Sequence, residues 1–236
     1  MSLSWWFTVA VFVALFVLGL GLGEVVGADG QVREDSLDQR VTAWVVAHRP
    51  VWPGLTRLLL AASRIGDWEV GLPLVIGISI LLTVLNRSGT PGIRRAEIGL
   101  WIIAIVGAQL LCNGLKAWFQ RERPPLLSRL VVEDSSSFPS GHSLTSSACF
   151  AVAAVLLVRA LSDSSVWLRI VAVWLCGTLI GLIAVSRVWL GVHYLSDVLS
   201  GLVLGLAWAF AVCVIHFGRT RPGPLIPKSE VLDSNL

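Results

Sequence analysis

Charge is what this sequence has least of. Only 14% of its 236 residues are charged, against about 25% in a soluble globular domain. The mean hydropathy is +0.78, and the apolar residues fall in long blocks. A soluble enzyme, a disordered chain and a nucleic-acid binder are all excluded on this balance. The net charge of +3 is too small to point to a polyanion. Cysteine is scarce as well. The four present, Cys112, Cys149, Cys176 and Cys213, lie far apart inside apolar blocks. That spacing suits small residues in helix packing and gives neither a disulfide framework nor a zinc site.

What is abundant is apolar helix. A bilayer core of about 30 Å needs about 20 apolar residues per crossing. The sequence predicts six: Trp5–Leu22, Val70–Leu85, Ile98–Phe119, Ser143–Leu161, Val166–Val185 and Val198–Phe217. The first lacks the basic flank of a signal peptide and is read as a retained span. Six crossings put both termini on one side, and arginines in the short loops near helix ends make that side cytoplasmic. Residues 1–217 form one membrane domain, and the proline-bearing tail 218–236 is expected to be disordered and cytoplasmic. Residues 24–69 form an outer loop. Its stretch Val41–Ile65, broken at Pro50 and Pro53, fits two short helices on the membrane surface or a plain extramembrane cap. Gly19/Gly23, Gly177/Gly181 and Gly201/Gly205 have the four-residue spacing that lets membrane helices approach closely. Several tryptophans (Trp5, Trp6, Trp118, Trp167, Trp189) sit near block ends, where indole favours the interface.

Ionisable groups at membrane depth are costly, so each is a candidate for function. Here they gather at the ends of spans three to six, all on the outer side. Lys116 and Arg123-Pro124 close span three, with Gln109 and Asn113 on the same helical stripe as Lys116. Pro139-Ser140-Gly141-His142 opens span four, where ordinary helix capping competes with anion binding by exposed N–H groups. Ser186, Arg187, His193 and Asp197 join spans five and six. On a helix, His193 and Asp197 would share a face, letting the carboxylate hold one ring nitrogen protonated. Each group alone has a bland reading, such as a snorkelling lysine, a capped helix or a structural His–Asp pair. Their order and spacing make all three bland readings together untenable.

KxxxxxxRP, PSGH and SRxxxxxHxxxD in this order resemble the type 2 phosphatidic acid phosphatase superfamily. It includes lipid phosphate phosphatases, bacterial phosphatidylglycerophosphate and polyprenyl-diphosphate phosphatases, and soluble vanadium haloperoxidases. The resemblance covers Glu69–Phe217 closely and implies an all-α integral membrane fold, six transmembrane helices with the catalytic site at the outer ends of helices three to six. It implies that His193, oriented by Asp197, attacks phosphorus, and that His142 protonates the leaving oxygen and then activates water. Lys116, Arg123, Arg187, the Ser140 side chain and the Gly141 N–H would hold the phosphate oxygens. No metal or other cofactor is expected, nor any nucleic acid or obligate protein partner. The partners are the bilayer and a lipid phosphate or diphosphate: polyprenyl diphosphate, phosphatidylglycerophosphate or phosphatidate. Transfer to an acceptor lipid is the alternative within enzymes, and a lipid transporter or scramblase the alternative outside them. The expected location is the cytoplasmic membrane with the site facing outward. Glu122, Glu133 and Asp134 are read as solvated loop charges, His48 as a loop-surface residue and His216 as the cytoplasmic end of span six.

Overall fold

A computed structural model describes residues 3–24, 36–67, 95–161 and 164–219, with Pro73 and Gly77. The helices in order are α1 (Leu3–Glu24), α2 (Leu37–His48), α3 (Pro53–Gly66), α4 (Arg95–Phe119), α5 (Gly141–Ala160), α6 (Val166–Trp189) and α7 (Leu195–Arg219). Among the described residues, Gly99–Phe119, Gly141–Ala160, Val166–Trp189 and Leu195–Gly218 are long and apolar enough to cross a membrane. These are the third to sixth expected spans. The first expected span falls within α1. The second, Val70–Leu85, lies outside the described residues except for Pro73 and Gly77, both helical. The tail after Arg219 also lies outside them.

The polarity of the bundle is that of a membrane protein. Large apolar side chains face outward, with Leu110 66% exposed on α4 and Trp174 72% on α6. Small and polar side chains fill the middle: Ser143, Ser146, Ser147, Ser186 and Ser200 are buried. Apolar tails solvate the outside, so close packing and hydrogen bonds hold the inside together.

α5 is the central helix, packed against α4, α6 and α7, while α1 lies along α7. Its pairing with α7 is close because of glycine. A Cβ on Gly201 would stand 2.7 Å from the Ser140 carbonyl oxygen, and one on Gly205 would overlap Leu144 and Ser147. Gly19 rests on Leu204 in the same way. Gly177 and Gly181, which share the spacing, meet nothing within 4 Å. Among the described residues, the spacing of the α6 pair carries no packing.

At one end of the bundle Arg159 pairs with Glu97 at 3.6 Å and lies over the Phe217 ring. The motif residues gather at the other end. There Gly191, at φ +72°, makes the tight turn from α6 to α7, against the backbone of Ser128. The Leu130 N–H donates to Leu190 O at 2.9 Å, tying the loop after α4 to this turn. α2 and α3, joined by a 3-10 turn at Arg49–Val51, form the two helices expected around the proline break. α3 packs on α6, with Leu59, Val45 and Trp189 in one cluster. Trp189 is consequently buried against α3, and its indole N–H donates to Thr56 Oγ1 at 3.0 Å.

Candidate active site

The first group leaves α4 through Lys116, and Gln120, at φ 44°, turns the chain back across the bundle end. Lys116 Nζ donates to Ser135 Oγ at 2.9 Å and to the Ser136 carbonyl at 2.6 Å. Arg123 donates to the same hydroxyl at 3.1 Å, to the Ser135 carbonyl at 2.6 Å and to the Val192 carbonyl at 2.8 Å. Its Nη1 is also 3.3 Å from His193 Nε2. A guanidinium can only donate, so Nε2 is the unprotonated nitrogen and Nδ1 carries the proton. His193 is buried, and burial, followed by Arg123, Arg187 and Lys116, pushes it well below the usual histidine range. It is a neutral imidazole with a lone pair on Nε2.

His193 stands just before α7 and Asp197 in its first turn, so the two do not share a helical face as their spacing suggested. They still meet, with Nδ1 3.6 Å from Asp197 Oδ2, an ion-pair distance longer than a hydrogen bond. Asp197 is held by other donors: the Arg121 guanidinium, Ser137 Oγ at 2.5 Å and the Tyr194 N–H at 2.9 Å. The Ser140 N–H donates to the Asp197 carbonyl at 3.1 Å, which joins the second and third motifs through backbone.

Ser140 caps α5, its Oγ accepting from Ser143 N at 3.5 Å and Ser143 Oγ at 3.0 Å. Gly141 opens the helix beside Cys112 and Lys116, and His142 Nε2 is 2.8 Å from Asp67 Oδ1. Arg187, 1% exposed, donates to Ser63 Oγ at 2.5 Å and pairs with Glu133, whose other oxygen is 3.5 Å from Arg123. Glu133 is thus a bridge between two site arginines, and the reading of it as a solvated loop charge is corrected. Burial works against its ionisation, but Arg187 and Arg123 outweigh that and hold it below the usual carboxylate range.

Lys116, Arg123, Gly141, His142 and His193 line one cavity of about 730 Å³. Arg187 reaches its edge through Glu133, while Ser140 and Asp197 lie behind its wall. Away from this polar end, the cavity runs along Trp101, Ile102, Ile105, Val106 and Leu110 of α4 and Phe150 of α5. One end suits an anion and the rest suits hydrocarbon.

A family model, the PAP2 superfamily, matches residues 98–221. The chain belongs to that superfamily. It is 34% identical over 178 residues to phosphatidylglycerophosphatase B of Bacillus subtilis, covering 75% of this chain and 82% of that protein. A decaprenylphosphoryl-5-phosphoribose phosphatase of Mycobacterium tuberculosis is 30% identical, covering 72% and 85%. The crystal structure of a transmembrane PAP2-type phosphatidylglycerolphosphate phosphatase from Bacillus subtilis superposes with a TM-score of 0.76 at 29% identity, over 89% of this chain and 98% of that one. This PAP2 chain is a multi-pass membrane enzyme, a lipid phosphate hydrolase.

Its motifs do not account for every charged group at the site. Arg121, buried, pairs with Asp38 at 2.8 Å as well as with Asp197, and Asp38 also accepts from the Ser196 N–H at 2.9 Å. Asp38 comes from α2, Ser63 from α3 and Asp67 from the cap that ends α3, in the loop for which a cap with no ligand role was one reading. The faint signal in sequence was the spacing of Ser63, Gly66 and Asp67 at i, i+3 and i+4, although Asp67 itself caps the end of α3 in extended backbone.

Proposed function

We propose that this PAP2 enzyme hydrolyses a lipid phosphate or diphosphate through a phosphohistidine on His193 Nε2. The observation that carries this reading is the approach of Arg123 to that unprotonated nitrogen at 3.3 Å, inside a cavity shared with Lys116 and His142. Phosphate oxygens bind to Lys116, Arg123 and Arg187 and to the N–H groups at the start of α5. Nε2 attacks phosphorus in line as the bond to the lipid oxygen breaks, and His142 gives that oxygen its proton. His142 then takes a proton from the water that cleaves the N–P bond. The three cations meet charge developing on the equatorial oxygens.

Each site carboxylate is already engaged by a cation, an imidazole or a hydroxyl, which supports a reaction run without a divalent ion. The apolar cavity wall supports a substrate whose chains stay in the bilayer while its headgroup enters sideways. The relatives are named for a glycerophospholipid phosphate and a polyprenyl-linked phosphate, so polyprenyl diphosphate, phosphatidylglycerophosphate and phosphatidate stand as candidates. The basic short loops support a cytoplasmic-membrane location with cytoplasmic termini and an outward site. Exposed Trp44, Trp52 and Leu58 support α2 and α3 lying in the outer interface.

The test is phosphate release by detergent-purified protein from a panel of lipid phosphates and diphosphates in EDTA. Release by the wild type and none by His193→Ala is the expected result. No release from any lipid by folded protein contradicts the reading.

A further inference from the structure

α3 lies outside the three motifs, yet its C-terminal end is built against two groups of the site. Ser63 and Gly66 lie one turn apart in α3, and Asp67, in extended backbone, caps its end. Ser63 accepts from Arg187 at 2.5 Å, and Asp67 Oδ1 lies 2.8 Å from His142 Nε2. Between them Gly66 is pressed on the imidazole: a Cβ there would stand 3.2 Å from His142 Cγ and nearer still to Cδ2. Only glycine leaves room for the ring to reach the carboxylate. The hydrogen bond from His142 is the main reason that Asp67 lies below the usual carboxylate range, so this carboxylate is ionised. Among the described residues, His142 Nδ1 has no hydrogen-bond partner, and the ring lines the cavity.

Resting on the proposed mechanism, we infer that Asp67 is a positioning residue for His142. Its carboxylate accepts from Nε2–H, fixes the ring plane and leaves Nδ1 directed to the cavity as the nitrogen that exchanges the proton with the leaving oxygen and then with water. The ionised carboxylate also stabilises the imidazolium that protonates the leaving group. Each histidine of the reaction thus has its own aspartate: His193 has Asp197 from α7, and His142 has Asp67 from the C-cap of α3. Because Ser63 of the same turn holds Arg187, α3 supports both proton transfer and phosphate binding through separate side chains.

The separation makes the inference testable. Turnover of a lipid phosphate and inhibition by inorganic phosphate are measured for Asp67→Asn, Asp67→Glu and Gly66→Ala. Asp67→Asn is expected to lower kcat about 10- to 100-fold, less than the roughly 10²- to 10⁴-fold that a general acid itself contributes, because His142 remains. Its inhibition constant for inorganic phosphate stays within about threefold of wild type, because the three cations are untouched. Asp67→Glu recovers part of the kcat. Gly66→Ala, which keeps the carboxylate but displaces the ring, reproduces the kcat loss. A kcat for folded Asp67→Asn within threefold of wild type overturns the inference. So does a phosphate inhibition constant that weakens in step with kcat, since α3 would then only prop up the fold around Arg187. If Asp67→Asn does not fold, a wild-type kcat in Gly66→Ala overturns it equally. His193→Ala, run alongside, keeps the two levels apart: activity in that variant contradicts the mechanism itself.

Discussion

Glu133 links Arg123 and Arg187, two of the cations proposed to bind phosphate. A carboxylate between two guanidinium groups is held strongly where water is partly excluded. Incoming phosphate must displace that charge. Glu133→Gln is therefore predicted to lower the inhibition constant for inorganic phosphate about tenfold, which a competition assay reads; a weaker inhibition contradicts it. His193 gives a pH prediction. Burial and nearby cations push it below the ordinary value of about 6.5. A histidine so lowered stays neutral as pH falls and protonates only beneath that value. The acid limb of kcat/KM is accordingly predicted well below pH 6.5, measured as a pH–rate profile, and a limb at or above about 6.5 contradicts it. Arg121 is 4% exposed between Asp38 and Asp197. Arg121→Ala strands two buried carboxylates, at a cost of about 3–5 kcal/mol. Denaturant unfolding in detergent checks this, and a loss under about 1 kcal/mol contradicts it.

Among the described residues, glycine spacing separates into the α7 pair, which packs on α5, and the α6 pair, which meets no neighbour. Gly205→Ala forces a methyl into Leu144 and Ser147 on α5, whereas Gly177→Ala meets nothing within 4 Å among the described residues. The first is predicted to lower the melting temperature in detergent. The second leaves it unchanged or raises it slightly, because alanine is the better helix former by about 1 kcal/mol. Equal effects contradict the assigned packing. Helix ends were the less legible part of the sequence. Span five was expected to stop at Val185 but runs to Trp189, because buried Arg187 is paired with Glu133 and Ser63 and so does not end the helix. Span six begins at Leu195, three residues before its apolar run, because Asp197 sits in the first turn, where a carboxylate favours the helix N-terminus.

In the whole molecule, the motifs carried the heart of the site and the chain's long-range contacts carried the rest. Lys116, Arg123, Gly141, His142 and His193 were legible because their order and spacing are distinctive, and they share one cavity. Asp67, Ser63 and Asp38 reach partners 75, 124 and 83 residues away, and periodicity holds no record of such pairs. The same gap hid Glu133, whose neighbours in sequence look like any solvated loop. Seen entire, the cavity joins a cationic end to an apolar trough along α4, the shape for a headgroup whose chains remain in lipid. With the site carboxylates already engaged, hydrolysis is predicted to persist in excess EDTA. Loss of activity that added Mg²⁺ restores contradicts that.

The most direct test of the account is acid-free trapping of the phosphoenzyme during turnover of a phosphate-labelled lipid. The account predicts label on the wild-type chain that is stable to alkali, lost in acid, mapped to His193 and absent from His193→Ala. Turnover without label on the protein, or label undiminished in His193→Ala, contradicts the central claim.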